Sequence, residues 1–251
     1  MSGIIDAHGH LGAWFAFAIA DSSTESLVRV MDSCGVATMC VSHLLAIGPD
    51  SRAGNALLLD EIQKHPGRFL GYAVYDPHDP EAPQRTADLL ATPGVIGLKL
   101  HPDTHQHPLD GPGYAPAFEL VTEHGGIVLS HGMYGSPWCD PARFAEVAPR
   151  YPSVELLMGH AGLFPAGLPA AAEVATRYPN VTLEICSSRL TARHVAWLVA
   201  TVGADRMVFG SDALFLDLRV GLGRVMLAPI EPADRDQLLF GTMTRLLEAS
   251  R

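Results

Sequence analysis

Eight short runs of apolar and β-branched residues, separated by amphipathic segments, predict eight parallel strands joined by helical crossovers of one hand. The chain has 251 residues and no linker-like or low-complexity stretch, so the alternation fits a (β/α)8 TIM barrel with C-terminal closing helices better than an open sheet. An internal echo supports the repeat: RYPSVEL (150–156) and RYPNVTL (177–183) each read as a helix end, a Pro turn and a strand start, and KHPGRFL (64–70) is a looser third copy.

In chain order, the predicted strands are GIID (3–6), ATMCVSH (37–43), RFLGYAVY (68–75), VIGLKLH (95–101), GIVLSH (126–131), VELLMGH (154–160), VTLEICS (181–187) and RMVFGSD (206–212). Near-continuous apolar character suits strands covered on both faces. Between them lie helical spacings such as Phe144, Val147, Ala148 and Tyr151, or Val195, Leu198, Val199 and Val202. After the eighth unit, EPADRDQLLFGTMTRLLEAS reads as one or two closing helices, begun by Pro232 and broken near Gly241. Residues 1–251 are therefore expected to form one barrel domain.

Composition narrows the function classes. The net charge is −10 with no run of Lys or Arg, which argues against a nucleic-acid footprint or an anionic-membrane patch and points to small-molecule substrates. Cys34, Cys40, Cys139 and Cys186 show no CxxC spacing, the N-terminus lacks a signal-peptide pattern, and the apolar AWFAFAIA (13–20) is too short to cross a membrane. A cytoplasmic chain with reduced thiols is expected.

Barrel enzymes carry their chemistry at the C-terminal ends of the strands. Here strand 1 runs into His8 and His10, whose i, i+2 spacing puts both imidazoles on one face. Strand 4 ends in Lys99 and His101, strand 5 in His131, strand 6 in His160 and strand 8 in Asp212. Five of eight strands ending in metal-type or proton-transfer groups predict a metal site at the barrel mouth.

The ordered set DAHGHLG, GLKLHP, SHG, GHAG and FGSDALF resembles the amidohydrolase superfamily, and more narrowly its branch of aminocarboxymuconate-semialdehyde-decarboxylase-like proteins. GADRMVFGSD followed by a terminal RLL (245–247) is similar to that branch too. The resemblance implies His8, His10, His131 and Asp212 as metal ligands, and His160 as the strand 6 histidine that polarises substrate or water. Three imidazoles and a carboxylate suit one divalent ion, Zn²⁺ first, with Mn²⁺ and Fe²⁺ as competitors. A second ion would need a bridging group at strand 4, where a carboxylated Lys99 is the lesser reading. His101 is expected to join Asp212 and His160 in the chemistry.

Substrate contacts are expected from Lys99, from Arg189 after strand 7, and from the aromatic loops that carry Trp14, Phe15, Phe17, Met133, Tyr134 and Trp138. Those loops suit a contact with a second copy of the chain equally well. Glu184, inside strand 7, is expected to pair within the barrel with Lys99. His43 and His105 are candidates to line the pocket, while His65 and His124 are read as helix C-terminal residues. The leading function is metal-dependent hydrolysis of a C–O or C–N bond in a small carboxylate-bearing molecule. Non-oxidative decarboxylation of an aromatic or unsaturated acid is the alternative, and a non-catalytic metal-binding barrel comes last.

Overall fold

In the computed structural model, which describes residues 3–250, the eight expected strands form one sheet in the order β1 to β8, every neighbouring pair parallel. They are β1 (Ile4–Leu11), β2 (Val36–His43), β3 (Phe69–Val74), β4 (Val95–Leu100), β5 (Ile127–Ser130), β6 (Glu155–Met158), β7 (Val181–Glu184) and β8 (Met207–Val208). The first and last strands meet through Ala7 N to Phe209 O (2.8 Å), Asp212 N to His8 O (2.8 Å) and a Gly9 to Ala213 bridge. This closes the (β/α)8 TIM barrel.

One principal helix follows each strand: α1 (Thr24–Cys34), α2 (Ser51–Lys64), α3 (Ala82–Leu90), α4 (Ala115–His124), α5 (Pro141–Val147), α6 (Leu168–Arg177), α7 (Ala192–Val202) and α8 (Leu218–Met226). Their ends follow local chemistry. The Ser23 side chain accepts from Ser26 N to start α1, and Gly35, at φ 70°, ends it in the left-handed region that glycine tolerates. At α7, Thr191 and His194 form a reciprocal capping box, so His194 is a helix-start residue.

The apolar strand faces and helix stripes bury Leu98, Leu100, Phe118, Phe144, Leu156, Leu183 and Phe209 between sheet and helices. Another cluster, with Cys40, Tyr72, Leu129, Leu157 and Val208, continues onto Met243 and Leu246 of α9 (Thr242–Ala249). Ile5, Leu70 and Ile96, near the starts of their strands, pack on it, so α9 closes the strands' N-terminal end. The expected break near Gly241 is a π-helical segment, Gln237–Gly241, leading into α9. Among the described residues, no helix is long and apolar enough to cross a membrane.

Three strand boundaries differ from expectation in ways that shape the site. β1 runs through His8 and His10 to Leu11, because its inward polar residues hide a strand that an apolar-run criterion ends at Asp6. β8 is only two residues long, Met207–Val208, and beyond it the chain turns at Asp212, whose φ is 60°. β6 likewise ends at Met158, and GHAG forms a tight turn with His160 (φ 63°) and Ala161 (φ 46°) in the left-handed region.

Candidate metal centre

His8 and His10 project from one face of β1, their ring centroids 5.0 Å apart, and both are buried. The turn at Asp212 swings its carboxylate back over them. Asp212 Oδ1 lies 3.0 Å from His10 Nε2 and 3.7 Å from His8 Nε2. Two donors bound to one Zn²⁺, each about 2.0–2.2 Å away, are separated by about 3–3.6 Å; these two spacings are close to that, and all three donors lie within 4.8 Å of one another, near enough to gather on one cation. His8 Nδ1 meets Glu184 Oε2 at 2.7 Å and His10 Nδ1 meets Ser42 Oγ at 3.1 Å.

Electrostatics favours the ligating forms. Burial, with the charge of Lys99, pushes His8 well below the ordinary imidazole range, and burial lowers His10 as well, so both stay neutral. Burial works against charge on Asp212, but the His10 hydrogen bond and the neighbouring His8 and His160 outweigh it and hold the carboxyl at about 2. Lys99, itself lowered by burial, places Nζ 2.8 Å from His8 Nε2. The expected Lys99 to Glu184 pairing is therefore replaced. Glu184 takes one nitrogen of His8 and Lys99 turns to the other.

His131 stands apart from the trio. Its Nδ1 faces His160 Nε2 at 2.9 Å, and its Nε2 lies 3.5 Å from Asp103 Oδ2. The far nitrogen of His160 sits 3.2 Å from the Cys186 carbonyl oxygen, an acceptor that wants a proton there. With their protons on the outer nitrogens, the two rings turn lone pairs toward each other, an arrangement that fits a cation or a shared proton between them. Asp103 in turn accepts from Ser136 Oγ (2.8 Å) and from the Cys139 thiol.

His101 lies against this pair, stacked on His131 with centroids 4.3 Å apart, but its Nδ1 is engaged by Thr104 N (3.3 Å) and Thr104 Oγ1 (3.0 Å) at the start of a short turn. Its Nε2 alone is left for chemistry. His105 does not line the pocket as a free ring: Tyr114 Oη and the Ile47 carbonyl engage its two nitrogens, at 2.7 and 3.2 Å. His43 Nδ1 accepts from Leu45 N (3.2 Å). His65 and His124 sit at the helix C-termini where they were expected. Burial, with the charges of Glu184 and Asp212, pushes the Cys186 thiol well above its ordinary range, so it is a hydrogen-bond donor and no nucleophile.

At the mouth, Phe215 packs on His10 at 5.1 Å, and Trp14 and Phe17 pack on Phe215 at 5.3 and 5.4 Å. Tyr134 is exposed. Arg189 is exposed too, its guanidinium 5.1 Å from the Phe164 ring. Ser42, Asp103 and Phe215 escaped the sequence reading. Phe215 alone had a signal, since it closes the FGSDALF segment.

A parallel eight-stranded barrel with histidines and an aspartate converging at its C-terminal mouth defines a metal-dependent enzyme class. The amidohydrolase family model matches residues 5–248, and the chain belongs to that family. No curated protein matches it by sequence. Among solved structures, 2,6-dihydroxybenzoate decarboxylase from Rhizobium is similar in fold, with a TM-score of 0.78, 18% identity and 99% of each chain covered. A dihydroxybenzoic acid decarboxylase from Polaromonas sp. JS666, with bound manganese and the inhibitor 2-nitroresorcinol, gives 0.77 and 18% over 100% of this chain and 98% of that one. A candidate 2-pyrone-4,6-dicarboxylic acid hydrolase from Pseudomonas putida gives 0.77 and 19% over 100% and 99%. At such identities the likeness is one of fold.

Proposed function

We propose that this chain is a metal-dependent hydrolase that cleaves a C–O or C–N bond, of lactone or amide type, in a small organic substrate bearing a carboxylate. The convergence of His8 Nε2, His10 Nε2 and Asp212 Oδ1 carries this reading. His131, one pair of rings away, is the fourth donor. Zn²⁺ suits this set best, and Mn²⁺ or Fe²⁺ can compete for it.

When bound, such an ion lowers the pKa of water from 15.7 to about 7 and polarises a carbonyl oxygen. Asp212 orients the attacking water and accepts its proton. With the shared proton on its Nε2, His160 donates a hydrogen bond to the oxygen on which negative charge develops, and the Lys99 ammonium nearby adds positive charge. His101, stacked on the His131 ring with its Nδ1 held by Thr104, has Nε2 to pass a proton to the leaving group. Arg189 at the mouth takes the substrate carboxylate, and Trp14 and Tyr134 offer apolar surface.

One observation favours a second reading. The Trp14, Phe17 and Phe215 wall beside His10 suits a flat conjugated ring, so the same site could decarboxylate an aromatic or unsaturated acid, with Asp212 or His160 handling the proton. A panel of lactones, amides and aromatic carboxylic acids, assayed with metal-loaded protein, decides the matter. Acid release without CO2 is the expected result, CO2 release selects the second reading, and silence across the panel at full metal occupancy overturns both in favour of a binding module.

A further inference from the structure

Glu184 is fully buried at the end of β7, where no water competes for its oxygens. Oε2 accepts from His8 Nδ1 (2.7 Å), from the His160 backbone N–H (3.1 Å) and from the Cys186 thiol (3.0 Å), while Oε1 accepts from the Cys186 backbone N–H (2.5 Å). The backbone N–H groups of His160 and Cys186 are obligate donors, one to each oxygen, and a carboxylate that accepts on both leaves His8 Nδ1 to donate as well. Space has been kept for it: a methyl group built on Gly210 of the adjoining chain would run into the Glu184 carboxylate and His8 Cβ.

Two consequences meet at the metal centre. With its proton committed to Glu184 at Nδ1, the His8 ring turns the Nε2 lone pair toward Asp212 and Lys99. By taking the backbone N–H of His160, the same oxygen ties down a left-handed residue, a conformation that L-residues adopt rarely, and this turn aims the His160 ring at His131.

We propose that Glu184 is the positioning residue of this centre, a single carboxylate that fixes the tautomer of His8 and the turn that presents His160. The proposal rests on reading His8 as a metal ligand, and it makes a prediction about His8 that needs no metal.

Glu184→Gln keeps the size but must point an NH2 group at one side. Facing His160 N–H and His8, it forces the His8 proton from Nδ1 to Nε2. Facing Cys186 N–H, it sets one donor against another there. The experiment measures Co²⁺ and Zn²⁺ affinity by chelator competition, the visible spectrum of the Co²⁺ form, and the His8 tautomer by imidazole ¹⁵N NMR of the metal-free wild-type chain. Expected are a 10–100-fold loss of affinity in E184Q, a changed Co²⁺ spectrum, and a wild-type His8 protonated at Nδ1. Wild-type affinity and spectrum in E184Q, or an Nε2–H tautomer in the wild-type chain, overturn the proposal. If E184Q fails to fold, the wild-type tautomer still decides. If the wild-type chain takes up neither ion, the metal reading falls while the tautomer continues to test Glu184.

Discussion

On the β1 and β8 side of the centre, each ring nitrogen of His8 and His10 already has a carboxylate, hydroxyl or ammonium partner, whereas on the β5 and β6 side His131 and His160 face one another nitrogen to nitrogen. The first side is built on a strand, where a period of two fixes both rings. The second depends on the GHAG turn, whose left-handed residues aim His160. A rigid ligand platform thus faces a partner whose geometry is set by a loop, and breaking His8 and His10 should cost the ion where breaking His160 should cost the chemistry.

The largest effect is expected from removing the platform. The wild-type chain should carry close to one divalent ion, and changing both His8 and His10 to Ala should abolish metal uptake and activity together, as read by elemental analysis of the purified chain. Full occupancy in the double variant would show that the second side alone holds the ion. Two ions per wild-type chain would make Lys99 the suspect for a bridging ligand.

Next is Asp212→Asn, which keeps the size and one coordinating oxygen but removes the charge and the base. Part of the metal should remain while turnover falls by about 10³-fold or more. A metal-loaded variant with near-normal turnover would move the base to His160 or His101, and the platform would then be purely structural.

His160→Ala tests the other side. Metal content should stay nearly intact and turnover should fall by about 10²-fold, the scale of losing an oxyanion donor or a general acid/base. Loss of the ion in this variant would make His160 a ligand and erase the distinction between the two sides.

This contrast also separates what was readable in the sequence from what was not. The barrel was legible because a buried parallel strand is written as a contiguous apolar run, and His8 and His10 because a strand holds residues i and i+2 on one face. Asp212 and His160 were placed correctly in order but on strands, when both lie on turns with positive φ. No composition rule marks an L-residue for that conformation. The partners were harder still. Glu184 was paired with Lys99 because opposite charges attract, yet the structure gives it His8, a choice made by packing across strands β7, β8 and β1 rather than by charge. Asp103 meets His131 only because the turn after β4 folds over β5, a relation that local spacing does not encode.

The smallest effect expected lies beneath the platform, at Asp6. Burial raises its carboxyl from the ordinary 3.8 to about 7, although hydrogen bonds from Ser211 and His8 oppose the rise. Oδ1 accepts from His8 N (3.1 Å) and Ser211 N (3.0 Å), while Oδ2 is buried without a partner among the described residues. A raised folded pKa means that the fold keeps a proton which the unfolded chain sheds. The contribution is complete below pH 4 and is lost as the pH climbs through 7. At about 1.4 kcal/mol per unit, the chelator-treated chain should lose about 2 kcal/mol between pH 5 and 7 from this group alone. Asp6→Asn keeps an Oδ1 acceptor for both N–H groups and cannot titrate, so its urea midpoint should vary less with pH than the wild type's and exceed it at pH 8. Equal slopes in the two chains would mean that Asp6 is charged in the fold, and that the platform under His8 is held by a carboxylate instead of a neutral acid.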